Sequence, residues 1–485
     1  MVEVSVKGFF NLEYKIYSRC CKQGLDAWLI GERWLSGDLL VKNGVVVTSS
    51  GLQRLDILII NGVIEALGRE LQRDSVEVLD VRGLLVFPGV VDEHVHMREP
   101  GLTYKEDFET GTAAAAAGGV TTILDMPNTI PPVDSSVKLR EKRRLLESKA
   151  YVDFGLYGVL HDSNIDEIEG MWNEGAVGFK VFLGPTTGNI PPPLDKTLIE
   201  AFEKSAAQGF TLAFHAENYS LVEYYTGKIK KVGLNNPEAY PDSRPNICEE
   251  EAVSRILILA RKTGGKALIA HTSTMEAVSL IREAKMKNVK VYCETCPQYL
   301  LLDRKAYRKL GSLVKINPPL REDGDQQALW NGLREGIIDT IGSDHAPHTY
   351  EEKIIGNIWE AAAGFIGVET LLPLMLDSAL KGLIPMEKIP LLLSENPAKI
   401  FGIYPRKGCI NVGADGDLII VDPAQERVIN SEKLHSKHKI TPYDGMKIKG
   451  GIKYTILRGV KIAEDGEIVK HRAGRFVKPI LNREL

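Results

Sequence analysis

No stretch of this chain reaches the ~20 consecutive apolar residues that a membrane span needs. The N-terminus lacks the apolar core and small-residue cleavage site of a signal peptide. Cysteine is scarce: Cys20, Cys21, Cys248, Cys293, Cys296 and Cys409 are the only six in 485 residues, and they form no disulfide framework. An excess of one charge is missing too. The formal net charge is −4, no basic stripe appears, and the one short basic run, Lys138–Arg144, falls in a helical pattern as a solvated face. We therefore expect a reduced, cytoplasmic protein with neither a nucleic-acid nor a membrane partner. Cys293 and Cys296 form a single CxxC without a second pair, which cannot fill a structural zinc site. They read as small residues at a strand end.

The hydrophobic share of 44% and charged share of 26% suit a chain that buries a large core. Its length fits a barrel of about 250–350 residues plus a smaller unit. Near Asp38 short alternating strands begin (Leu39–Val41, Gly44–Thr48, Leu55–Asn61, Gly62–Leu67, Val76–Asp80), punctuated by Gly and Asn as hairpins are. A related texture returns after Lys407, in Asp417–Val421, Tyr454–Arg458 and Gly459–Ile462. Between them apolar strands alternate with helical segments, the signature of parallel strands. The expected fold is α/β: a (β/α)8 barrel over residues 84–405, with a small β-sandwich built from both chain ends, 37–83 and 406–485. Residues 1–36 match no part of this plan and stand as an extension without an assigned role.

Chemistry in such barrels sits at the C-terminal strand ends. The first strand, read as Leu84–His94, runs into Asp92-Glu93-His94-Val95-His96, and residues two apart in a strand point the same way. His94 and His96 can thus reach one metal together. Lys180, in Gly178-Phe179-Lys180-Val181-Phe182-Leu183, lies in the apolar strand Val177–Phe182, where an unpaired ammonium is costly. Burial lowers a lysine's pKa, and a neutral amine can capture carbon dioxide as a carbamate, a two-oxygen anion able to bridge two metals. Alone, Lys180 reads as a lysine whose head reaches solvent; its company argues otherwise. His215 and His271 end later strands, and Asp344 follows another in Gly342-Ser343-Asp344-His345-Ala346-Pro347-His348. Asp344 is a candidate metal ligand that also handles protons, with His345 and His348 as candidate substrate contacts. These oxygen and nitrogen donors suit Zn2+, with Mn2+ or Co2+ as alternatives. Two such cations outweigh the carbamate, Asp344 and a bridging hydroxide, leaving a net positive site for an anionic substrate.

The combination of His-x-His, Gly-Phe-Lys, His215, His271 and Ser-Asp-His resembles the amidohydrolase superfamily, in particular its cyclic-amide branch of dihydroorotases, allantoinases and hydantoinases. The likeness covers roughly residues 38–475. It implies that His94 and His96 bind one metal and His215 and His271 the other, that carboxylated Lys180 bridges them, and that Asp344 binds a metal and shuttles the proton. His96-Met97-Arg98-Glu99-Pro100-Gly101 and Asp125-Met126-Pro127-Asn128-Thr129 resemble the dihydroorotase forms, in which the arginine and the asparagine grip the substrate carboxylate. Ile316-Asn317-Pro318-Pro319-Leu320-Arg321 and Ala346-Pro347-His348 fit the same pattern, which adds Asn317 and His348 to the substrate contacts. The implied reaction is zinc-dependent, reversible hydrolysis of (S)-dihydroorotate to N-carbamoyl-L-aspartate in pyrimidine synthesis. Ser243-Arg244-Pro245 through Val253, and Lys437-His438-Lys439-Ile440-Thr441-Pro442-Tyr443, are more similar to allantoinases and hydantoinases, which keeps those activities as an alternative. A non-catalytic scaffold of the same fold is a further one, although all six ligand positions are filled. The resemblance also implies a homodimer or homotetramer.

Overall fold

The computed structural model describes residues 37–480 apart from 186, 187, 189, 470 and 471. The extension 1–36 lies outside the described residues. Eight parallel strands form the barrel: β1 (Val90–Val95), β2 (Val120–Asp125), β3 (Asp153–Leu156, resuming as Gly158–Val159), β4 (Phe179–Phe182), β5 (Thr211–His215), β6 (Lys266–Ile269), β7 (Val291–Thr295) and β8 (Thr340–Ile341). Each pairs in parallel with the next. A parallel bridge from Val95 to His345, just past β8, closes the ring. Every residue of β1, β2, β4 and β5 is buried, as expected of strands packed on both faces. The intervening helices carry their own punctuation. Asp107 caps Phe108–Ala117 by accepting from the Thr110 N–H. Gly209, Gly264 and Gly336 end Asp195–Gln208, Ile247–Thr263 and Asp323–Glu335 in the left-handed conformation that favours glycine.

Both chain ends build the β-sandwich. One sheet orders Val63–Gly68, Asp56–Ile60, Leu39–Lys42 and Glu77–Asp80. The other joins Leu85–Pro88, between Val45–Thr48 and Leu418–Val428, to the hairpin partner Lys447–Leu457. Leu39, Val41, Ile57, Ile59, Val86, Leu418, Ile420 and Ile456 fill the space between the sheets.

Two expected boundaries move. Leu84–His94 is not one barrel strand. Leu85–Pro88 belongs to the sandwich, and the barrel begins at Val90, so the first part of the β-domain runs to Pro88 and not to residue 83. The chain crosses at Gly89, where an added Cβ would sit 2.0 Å from Thr121 Oγ1 and 2.9 Å from Asp417 Cβ. With no polar linker at the crossing, the apolar run reads as continuous. At the far end, residues 475–477 leave the sandwich and lie beside β3. Phe154 N–H donates to Arg475 O at 3.0 Å and Val477 N–H to Phe154 O at 2.8 Å. β4 joins β3 only from Gly158, and the tail takes the open edge of Asp153–Leu156. Among the described residues no helix is long and apolar enough to cross a membrane.

Candidate active site

The six predicted ligand side chains converge at the C-terminal mouth of the barrel. Asp344 Oδ1 lies 3.3 Å from His94 Nε2 and 3.4 Å from His96 Nε2. Lys180 Nζ, from β4, lies 3.3 Å from the same His94 nitrogen. His215 Nδ1, at the end of β5, is 3.0 Å from His271 Nε2, just past β6. The His94 and His271 ring centroids are 5.3 Å apart. These side chains line one cavity, open at its mouth, together with Arg98, Asn128 and Asn317.

Burial sets the protonation of this cluster. It pulls His96 down to about 3, with the nearby Arg98 and His94 adding to the effect against Asp344. It lowers His215 and takes His271 far below its ordinary value. Burial also brings the Lys180 ammonium down to about 8, against the opposing pull of Glu294 and Asp344. Asp344 is driven upward by its own burial, but His94, His96 and Lys180 outweigh this and hold it below the usual carboxylate value. His215 Nε2 donates to Glu217 Oε2 at 2.9 Å, so its Nδ1 presents a lone pair toward His271, whose own Nδ1 has no hydrogen-bond partner. Neutral imidazoles, a carboxylate and an easily neutralised amine turned toward one space make a donor set that fits divalent cations.

Three residues here hold left-handed backbone: Arg98 at φ 61°, His271 at 39° and Asp344 at 47°. Each costs on the order of 1–3 kcal/mol, and such strain gathers at functional sites. Arg98 is buried; its Nε donates to Pro347 O at 3.2 Å, and it forms no ion pair among the described residues. Burial lowers its guanidinium to about 10, with Asp344, Asp125 and Glu352 opposing, so it stays charged at neutral pH.

The remaining candidates divide. Asn128 lines the cavity, but its Oδ1 accepts from His96 Nδ1 at 2.8 Å, so part of the side chain is spent orienting that imidazole. Asn317 also lines the cavity, with its Oδ1 accepting from the Tyr240 hydroxyl at 2.5 Å. His348 is not on the cavity wall. Its Nδ1 accepts from Lys105 Nζ and its Nε2 donates to Ala363 O, both at 3.1 Å. The 3.4 Å approach of Arg98 therefore brings two donors together and is no bond. His345 is turned away entirely: its Nδ1 accepts from the Gly367 and Val368 N–H groups, and its ring faces Glu106. It sits next to Asp344 in sequence, yet it packs the barrel wall. Cys293 and Cys296 are buried, and burial raises both thiols, Cys293 to about 12, which fits their ordinary reading.

Sequence reasoning missed the groups behind the ligands. Glu217, two residues past His215, is gripped through both carboxylate oxygens by Arg244. Glu294 sits in an apolar strand with its Oε1 2.7 Å from His94 Nδ1. For Glu294 the signal available was the one used for Lys180, an ionisable group in a largely buried strand that needs a reason to be there.

Residues 85–468 match the Amidohydrolase family. A dihydroorotase of Methanosarcina acetivorans is 38% identical over 91% of this chain and 95% of its own length. An allantoinase of Deinococcus radiodurans is 38% identical over 92% of this chain and 99% of its own. The solved structure of an L-hydantoinase (dihydropyrimidinase) from Arthrobacter aurescens superposes with a TM-score of 0.89 at 36% identity, covering 91% of this chain and all of that one. A (β/α)8 barrel carrying this cluster at its mouth belongs to the amidohydrolase family, whose members are typically binuclear metal enzymes. Within that family the chain is a cyclic amidohydrolase, a hydrolase of cyclic amide C–N bonds.

Proposed function

We propose that this cyclic amidohydrolase is a dihydroorotase, interconverting (S)-dihydroorotate and N-carbamoyl-L-aspartate in pyrimidine synthesis. The observation that carries the reading is Arg98, a buried, charged guanidinium on the cavity wall without a carboxylate partner. A desolvated charge left unpaired is costly, and a substrate carboxylate completes it with bidentate geometry. Dihydroorotate and carbamoyl-aspartate carry that group; allantoin and simple hydantoins do not.

His94, His96 and Asp344 would hold one divalent cation and His215 and His271 the other, zinc in our reading, with the carbamate of Lys180 between them. Bound there, the cations supply hydroxide near neutral pH and polarise a carbonyl. The residues of the chain do the rest. Arg98 and Asn128 hold the substrate carboxylate and so fix the approach of the ring. With its Oδ1 occupied by Tyr240, Asn317 has its amide N–H groups left to offer a ring carbonyl. As the ring C–N bond breaks, Asp344 takes the proton of the incoming water and returns it to the departing nitrogen.

A second reading, hydantoin or allantoin hydrolysis, is favoured by the likeness to the L-hydantoinase fold and by the segments 243–253 and 437–443. Rates on dihydroorotate, allantoin and hydantoin with one metal-replete preparation separate the two. Dihydroorotate is expected to be fastest; faster turnover of either other ring overturns the substrate reading. Chelation is expected to abolish activity at two bound cations per chain, and full activity of metal-free protein overturns the metal reading.

A further inference from the structure

We propose that Glu294 is a positioning residue that holds both halves of the cation site in register. β7 supplies none of the six ligand candidates, yet near its C-terminal end it carries a wholly buried carboxylate. One oxygen, Oε1, lies 2.7 Å from His94 Nδ1 and 3.0 Å from the backbone nitrogen of His271. A carboxylate only accepts, so the His94 proton sits on Nδ1 and the lone pair of Nε2 is directed at the space shared with Asp344 and Lys180. The same oxygen receives the N–H of His271, a histidine in the left-handed region that such a residue keeps only when its surroundings impose it. One atom thus fixes a ring in one half of the site and the backbone of a ligand in the other. Gly342 packs closely against this pair: a Cβ there would come within 3.2 Å of the Glu294 carboxyl carbon and 3.0 Å of His94 Cβ.

Glu217 gives the contrast. It orients His215 alone and is itself clamped by Arg244, so it serves one half only. Carboxylates behind metal-bound histidines typically carry 10–100-fold in metal affinity.

This inference rests on the cation-site reading above and is independent of the substrate. The test strips wild type, Glu294→Gln and Glu217→Gln with a chelator and titrates each with Zn2+ or Co2+. Stoichiometry is read by elemental analysis and site geometry by the Co2+ absorption spectrum. Glu294→Gln is expected to weaken both ions by about 10–100-fold, and Glu217→Gln only one. Circular dichroism and melting of the stripped proteins establish that they are folded. Should Glu294→Gln fail to fold, Glu294→Asp keeps the charge one methylene short and is expected to weaken both ions as well. Wild-type affinity for both ions in the Glu294 variant, or a loss confined to one ion, overturns the role. A wild-type protein that takes up no cation overturns the cation-site reading itself, and it is measured before any variant.

Discussion

Arg98 is held between two demands. Its backbone is strained at φ 61° and its guanidinium is buried without an ion pair, and under the proposed reading a substrate carboxylate offsets both costs. Arg98→Met is therefore expected to weaken dihydroorotate turnover by about 2–5 kcal/mol, as loss of a buried charge pair does, with bound metal unchanged. Steady-state rates and elemental analysis check this, and a silent substitution removes the substrate assignment. Asp344→Asn keeps the side-chain shape but cannot take a proton, and is expected to cost ~10²–10⁴-fold in turnover. A change below about threefold moves the proton to another group. Lys180→Ala is expected to lose one of the two metals, with partial rescue by a short carboxylic acid; unchanged metal content makes the lysine structural. The convergence of these side chains was legible because most follow or end a strand in a short pattern: His94 and His96 by their two-residue spacing, Lys180 by its apolar neighbours within its strand. Direction was not legible. Nothing in Asp344-His345 says that the aspartate faces the mouth and the histidine the wall, and nothing in the run to His348 shows that this ring ends up behind Arg98.

Strands and helices followed the apolar pattern closely, as at Phe108–Ala117 and Thr211–His215. What the pattern cannot carry is how an irregular segment is held. The stretch after Lys353 has little regular structure, yet Ala363 and Gly364 form part of the cavity wall. Two buried lysines pin it. Lys315 Nζ donates to Ile358 O at 2.6 Å and also to Trp359 O and Ala361 O. Lys353 Nζ donates to Lys315 O at 2.6 Å and to Ala362 O at 3.0 Å. Lys315→Met strands those carbonyls, at about 1–3 kcal/mol for each buried group left unsatisfied. The expected outcome is faster amide exchange over residues 355–364 and a KM raised by about tenfold or more, with metal content intact. Unchanged exchange in that segment dissociates the lysines from the wall.

At the scale of the whole molecule, barrel, sandwich and tail meet on one buried charge cluster. Lys407 Nζ reaches Asp153 on β3 at 2.5 Å, Asp417 at 2.7 Å and Asp415 at 2.8 Å. Arg458 joins Asp153 and donates to Ala473 O in the tail. Burial drives Asp153 upward, but Lys407 and Arg458 outweigh it and hold the carboxyl at about 2. Asp417 is instead raised by its burial, and we assign the ammonium chiefly to Asp153, which has both cations. A carboxyl held below its unfolded value of ~3.9 adds stability above that pH. The contribution is lost as pH falls through about 2, so acid unfolding is expected to steepen in that window, followed by circular dichroism. Lys407→Met leaves buried Asp417 without an ion pair and takes one of two cations from Asp153 and from Asp415, and is expected to cost about 3–5 kcal/mol in denaturant unfolding; a loss under about 1 kcal/mol detaches this cluster from the stability of the fold. The strand Leu85–Pro88 adds a consequence in time. Its sheet neighbour Leu418–Val421 leaves the ribosome roughly 330 residues later, which at ~5–20 residues per second is some tens of seconds. Through that interval the nascent chain carries an apolar strand with one bare edge, an invitation to wrong pairing. The last barrel strand, Thr340–Ile341, is thus synthesised well before the strand that completes the sandwich sheet.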